Sequence, residues 1–127
     1  MLRPNQFQIN QAWIVFRLSK SPIVTEQDGN FNVFALLDAS SCFIMATMFV
    51  RVEDAEPSQL ASVRFLKDGY SHYNQYPETL YIPSKERVDF LSEEAESHGI
   101  EVVRIPEKQL LPFIGDARKM FKKFGMA

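Results

Sequence analysis

The densest concentration of stacking and hydrogen-bonding side chains is Tyr70-Ser71-His72-Tyr73-Asn74-Gln75-Tyr76, where three tyrosines and a histidine alternate with amides. Aromatic rings stack nucleobases at ~1 to 3 kcal/mol each, and Asn or Gln can read base edges, so the segment has the makings of a single-stranded nucleic acid surface. Basic residues to neutralise phosphate are almost absent from it. Tyrosine serves protein contacts equally well, since it offers large area at low entropy cost. Together with Ser84 and Lys85 beyond the next strand, Tyr70, His72, Tyr73 and Tyr76 form the candidate binding surface.

Other chemistries have less behind them. His72 and His98 belong to no His-x-x-x-His, His-Glu-x-x-His or Cys-His spacing, so no zinc site is expected. Cys42 has no partner for an internal disulfide, and its run Cys42-Phe43-Ile44-Met45-Ala46 reads as a strand in which the thiol is a small core hydrophobe. No Gly-x-Ser-x-Gly elbow occurs, and Ser84 before a helix reads as an N-cap. The 5 glycines are isolated, so no phosphate loop forms and no cofactor is expected. Arg118, Lys119, Lys122 and Lys123 make a basic cluster at the end of the last helix. Cations there gain ~0.3 to 1 kcal/mol each from the terminal carbonyls, and a solvated face is expected.

These residues must be held by a folded core. Of 127 residues, 46% are hydrophobic, and 14 Lys and Arg against 16 Asp and Glu leave a net charge of −2. With 11 Phe, 4 Tyr and 1 Trp the chain has what disordered segments lack, and one globular domain over residues 1–127 is the expectation. No strong field would gather nucleic acid or an anionic membrane. The opening Met1 to Phe7 lacks an apolar leader core, and the run Phe43 to Val50 is far short of the ~20 residues that cross a bilayer, so a cytoplasmic location without membrane contact is the default.

The first half reads as strands: Trp13 to Leu18, Val33 to Leu37 and Phe43 to Val50. Asp28-Gly29 marks a tight reversal across which Ile23-Val24 can pair with Phe31 to Val33. The second half alternates. Ser58 caps a helix whose inner face is Leu60, Val63, Leu66, Tyr70 and Tyr73, with Gly69 threatening to end it early. Thr79 to Ile82 is a strand, and Pro83-Ser84 opens a helix with Val88, Leu91 and Ala95 inward, closed by His98-Gly99. Ile100 to Ile105 is the next strand. The last helix presents Leu110, Ile114, Ala117, Phe121 and Phe124, with Pro112 in its first turn and Gly125 after it. The order β-β-β-α-β-α-β-α predicts a mixed five-stranded α/β sheet with helices on both faces.

This order, with Asn32 to Leu37 entering the turn Asp38-Ala39-Ser40-Ser41, resembles the ribonuclease H-like superfamily, and within it the retroviral integrase core, over roughly residues 11 to 124. The resemblance implies two divalent cations, ~3.5 to 4 Å apart, gripped by carboxylates. The family's first Asp lies in the first strand, but Trp13 to Ser19 has no carboxylate and carries Arg17. Its second ligand belongs at Ile82 to Lys85, where neither Ser84 nor Lys85 is an anionic ligand. Glu86 follows, Asp116 matches the third ligand on the last helix, and Asp38, which ends a strand antiparallel to the first, belongs at the opposite edge of the sheet. A binding or scaffold domain without catalysis is therefore expected, with a protein partner or a second copy docking on the sheet edge or on the Tyr70 to Tyr76 surface. The alternatives are single-stranded nucleic acid binding and a noncanonical metal-dependent nuclease built from Glu86, Asp116 and one further carboxylate.

Overall fold

The computed structural model describes residues 1–123, and in it one mixed sheet is built on β1 (Ala12–Arg17). Its run Ala12-Trp13-Ile14-Val15-Phe16 is buried on both sides, as a central strand of a two-faced sheet requires. β3 (Asn30–Asp38) pairs antiparallel with β1, and β5 (Thr79–Pro83) pairs parallel on its other side, followed by β6 (Glu101–Ile105) parallel to β5. Phe34 stands opposite both Arg17 and Met48, so β4 (Ile44–Arg51) flanks β3 on the side away from β1 and forms an edge. Among the described residues the sheet has six strands, not five. The sixth is β2 (Ile23–Val24), which folds back onto Asn30 and Phe31 across the expected reversal, where Gly29 takes φ 86°.

Helices cover both faces. Trp13, Val15, Phe34 and Leu36 point to one side, beneath Phe65 and Leu66 of α1 (Gln59–Tyr73) and Leu91 and Ala95 of α2 (Asp89–Ser97). Ile14, Phe16, Ala35 and Leu37 point to the other, against a 3-10 turn ending at Leu110 and Phe113 and Ile114 of α3 (Leu111–Lys123). Each fully buried large apolar side chain contributes ~1.5 to 3 kcal/mol, so these two layers carry the fold.

Ser58 caps α1 as expected, its hydroxyl accepting from Ala61 N at 3.1 Å. The face that α1 buries is nevertheless rotated from the expected one: Ser62, Phe65, Leu66 and Gly69 go inward, while Leu60 is 61% exposed. Gly69 does not end the helix; it lets the helix approach the sheet. A Cβ there would stand 2.7 Å from Leu36 Cδ2 and 3.0 Å from the Trp13 ring. The helix instead ends at Asn74, left-handed at φ 53°.

α2 begins later than Pro83-Ser84. Ser84 is not its cap; Val88 occupies that position without a side-chain bond, and the Glu56 carboxylate accepts from the free N–H groups of Asp89 and Phe90. Gly99 follows the helix with φ 77°, as its position suggested. Pro112 lies in the first turn of α3, whereas Phe124 and Gly125 fall outside the described residues.

Candidate functional site

The carboxyl-terminal ends of β1 and β5 are where the resemblance would place metal ligands, and there the chain builds a lattice of arginines. Arg17 Nε donates to both oxygens of Glu86, at 3.0 and 2.9 Å, while its guanidinium lies 5.4 Å from the Phe34 ring centre. The Glu86 side chain is only 15% exposed, so this pair is desolvated more than a surface ion pair. Arg104 Nη1 donates to Glu86 O at 2.7 Å and Ser84 N to Ile105 O at 2.8 Å, which fixes the loop after β5 across β6.

Arg118 reaches the same end from α3. Its Nε donates to Arg17 O at 3.0 Å and its Nη2 to Glu107 Oε1 at 2.7 Å, and the guanidinium carbon lies 6.0 Å from the Phe16 ring centre. The side chain is 12% exposed, so it is not part of a solvated basic face; Lys119, Lys122 and Lys123 are. The hydrogen bond from Arg118 is the main cause that holds the Glu107 carboxyl below its usual 4.5, with the charges of Arg118, Lys20 and Arg17 adding to it against the effect of burial. Such depression means that the stabilisation is complete above the unfolded value and is lost as pH falls through the lower folded value. Urea unfolding should accordingly show the deficit of Glu107→Gln relative to the parent shrinking as the medium is acidified. A deficit constant throughout the acid range would refute this.

The carboxylates expected to hold metal are not grouped here. Glu86, one of the two expected carboxylates, already accepts from Arg17, and Asp116 sits elsewhere, on a groove with Cys42 and Phe43. Among the described residues no three His, Cys, Asp or Glu side chains are grouped to hold an ion. Asp38 pairs with Trp13 in register, at the other end of β1 from Arg17, and is fully buried. Its carboxylate accepts from Asn10 N at 2.8 Å, Ser41 N at 3.0 Å and Ser41 Oγ at 2.6 Å, an anchor for loops that residue patterning assigned no role.

The tyrosine tract divides. Tyr76 stacks on His98 with ring centres 4.3 Å apart and packs on Tyr70 at 4.7 Å, and Glu94 approaches His98 at 3.2 Å. Burial, then Glu94 and Tyr70, push the Tyr76 hydroxyl up. His72 Nε2 instead bonds Met45 O at 2.9 Å, and Tyr73 packs on the core. Ser84 and Lys85 are exposed at the far end of β5, so the six candidate residues do not form one surface. Cys42 lies in the turn before β4 rather than within a strand, with φ 59°, half-buried against the α3 layer. Burial, then Asp38 and Asp116, raise its thiol, which opposes nucleophilic reactivity.

The sheet edge leaves large apolar side chains uncovered. On the β4 side, Phe49 is 57% and Phe43 49% exposed, and Met120 of α3 is 52% exposed. Cys42, Phe43 and Ile44 line one wall of an open groove of about 600 Å³, with Phe113, Met120 and Phe121 on the other. No helix of the described residues is long and apolar enough to cross a membrane.

No protein-family model matches the sequence, and no curated protein does. Solved structures do share its fold. A chain of the simian T-cell lymphotropic virus intasome in complex with PP2A regulatory subunit B56 gamma superposes with a TM-score of 0.61 at 8% identity over 90% of this chain. The HTLV-2 integrase catalytic core domain in complex with magnesium, in its dimeric form, gives 0.53 at 9% identity over 91%. The chain spans 39% of the first of these and 72% of the second. At such identities the likeness is one of fold, and it places the β-β-β-β-α-β-α-β-α order in the ribonuclease H-like class, as seen in integrase catalytic cores.

Proposed function

We propose that this chain is a self-associating binding or scaffold domain that uses a ribonuclease H-like framework without metal-dependent phosphodiester chemistry. The observation that carries the reading is Arg17 on the first strand, bonded to Glu86. Two cations and two carboxylates already interlock there through Arg118 and Glu107, so a divalent ion would have to displace a guanidinium to gain a ligand. The edge strand β4 offers the surface for a second copy. Among the described residues its outer side has no neighbouring strand, its length allows antiparallel pairing about a twofold axis, and Phe49 and Phe43 give apolar area next to it. The HTLV-2 core, which shares the fold, is described in dimeric and trimeric forms. A cytoplasmic setting suits such a domain.

One experiment with two arms tests this. Light scattering over a dilution series should give a dimer that Phe49→Lys converts to monomer, and labelled DNA and RNA should stay intact through a Mg²⁺ and Mn²⁺ titration. A strictly monomeric parent at high concentration would end the self-association. Cleavage abolished by Asp116→Asn or Glu86→Gln would end the non-catalytic reading.

A further inference from the structure

A cavity of about 380 Å³ lies between the connection leaving β1 (Leu18, Ser19, Lys20 and Ser21) and the second half of α3 (Arg118, Lys119, Phe121 and Lys122). Four of the eight lining residues are cations and none is acidic, in a chain whose net charge is −2. Segregation of that kind is costly unless a counter-charge relieves it, because like charges around a low-dielectric concavity repel and focus a positive potential. Glu107 relieves it only in part, through its bond to Arg118 and its attraction to Lys20. Its carboxylate is on Arg118 Nη2 but is absent from the cavity wall.

Arg118 is held in place before any ligand arrives. Nε is fixed by Arg17 O and Nη2 by Glu107, so the fork is oriented, whereas Nη1 is buried and has no acceptor among the described residues. A buried donor without a partner costs about 1 to 3 kcal/mol, and the residue that carries it is one that walls the cavity. On the opposite wall Ser19 is itself buried, its hydroxyl bonded to Ser21 O, which sets the connection in a defined shape. Leu18 and Phe121 supply apolar surface beside the charges.

We infer that this cavity binds a phosphoryl group carried by a small organic molecule: the dianion faces Arg118 and the lysines, and an apolar body lies against Leu18 and Phe121. The volume falls in the range of small-molecule sites, roughly 300 to 1,000 Å³, and Arg with Lys is the pairing that phosphate geometry favours. The site adjoins the groove beside β4, with which it shares Leu18 and Phe121, yet it stands or falls without the self-association.

Amide chemical shifts of the parent protein, followed at fixed ionic strength, provide the test. Phenyl phosphate should shift Ser19 to Ser21 and Arg118 to Lys122 saturably and bind more tightly than inorganic phosphate, while phenol and chloride leave these amides still. Because removing Arg118 also breaks its structural bonds, the variant to use is Lys20→Gln with Lys122→Gln. Both side chains are exposed, and the double change should weaken phenyl phosphate by about tenfold or more with an unchanged melting temperature. Failure to saturate, equal shifts with chloride, or undiminished binding by the double variant would each overturn the proposal. So would a short oligonucleotide that occupies the same residues more tightly than phenyl phosphate and with affinity rising with strand length, which would make the site a nucleic acid contact.

Discussion

Asp38→Ala is expected to cost about 3 kcal/mol of folding stability and to lower the melting temperature by roughly 10 °C. The carboxylate is fully buried and accepts three bonds, from Asn10 N, Ser41 N and Ser41 Oγ. Alanine keeps the strand but leaves two backbone donors with no oxygen to receive them. The damage would spread along a chain of contacts. Asn10, left-handed at φ 63°, accepts from Trp13 Nε1 at 2.6 Å and donates to Gln75 O at 3.0 Å, so one residue ties the start of β1 to the connection between α1 and β5. Asp38→Asn tests the acceptor role directly. An amide can offer its oxygen to Asn10 N only by turning its NH₂ toward the N–H of Ser41, so it too should be destabilised. Denaturant unfolding of both variants reads the effect, and losses well under 1 kcal/mol would show that the carboxylate is dispensable.

What could be read in the residues follows from what is local. The runs Trp13 to Phe16, Val33 to Leu37 and Ile100 to Ile105 announce strands because β-branched and aromatic side chains suit a two-faced sheet, and Ser58 announces a helix start because a cap acts within its own turn. The start of α2 could not be read, because the acceptor for its free N–H groups is Glu56, more than thirty residues upstream. Arg118 misled for the same reason. In the sequence it belongs to a basic helix end; in the fold it bonds Arg17, 101 positions away, and ceases to be solvated. That the first strand carries a cation where the resemblance asks for a carboxylate was legible from residue type alone, since Arg17 is a cation wherever it lies. What no pattern revealed was that Glu86 would be its partner rather than a ligand for something else.

The rotated face of α1 shows a different limit. Periodicity counts Leu60 and the tyrosines as core and sees in Gly69 only an early stop, yet a helix that packs close to a sheet needs small residues such as Ser62 and Gly69 at the line of contact. Glycine there is chosen for the space it leaves.

That reading makes one substitution change sign between two helices. Gly→Ala in a helix interior ordinarily stabilises by about 1 kcal/mol. At Gly115 in α3 nothing lies within 4 Å of the added Cβ, and Gly115→Ala should realise most of that gain. At Gly69 the same atom would meet Leu36 Cδ2 at 2.7 Å and Trp13 Cη2 and Cζ3 at 3.0 Å. The leucine end can turn, but the indole is rigid, fully buried and held by its bond to Asn10, so helix and sheet must separate. Overpacking of this kind costs ~1 to 3 kcal/mol, which cancels the helical gain in Gly69→Ala and leaves a net loss of about 1 kcal/mol. Gly69→Val adds two more carbons at the same contact and should lose about 3 kcal/mol or more. Thermal melts of the three variants side by side decide it. If Gly69→Ala and Gly115→Ala stabilise equally, α1 does not depend on close approach to Trp13, and the packing of the α1–α2 layer against the sheet has another basis.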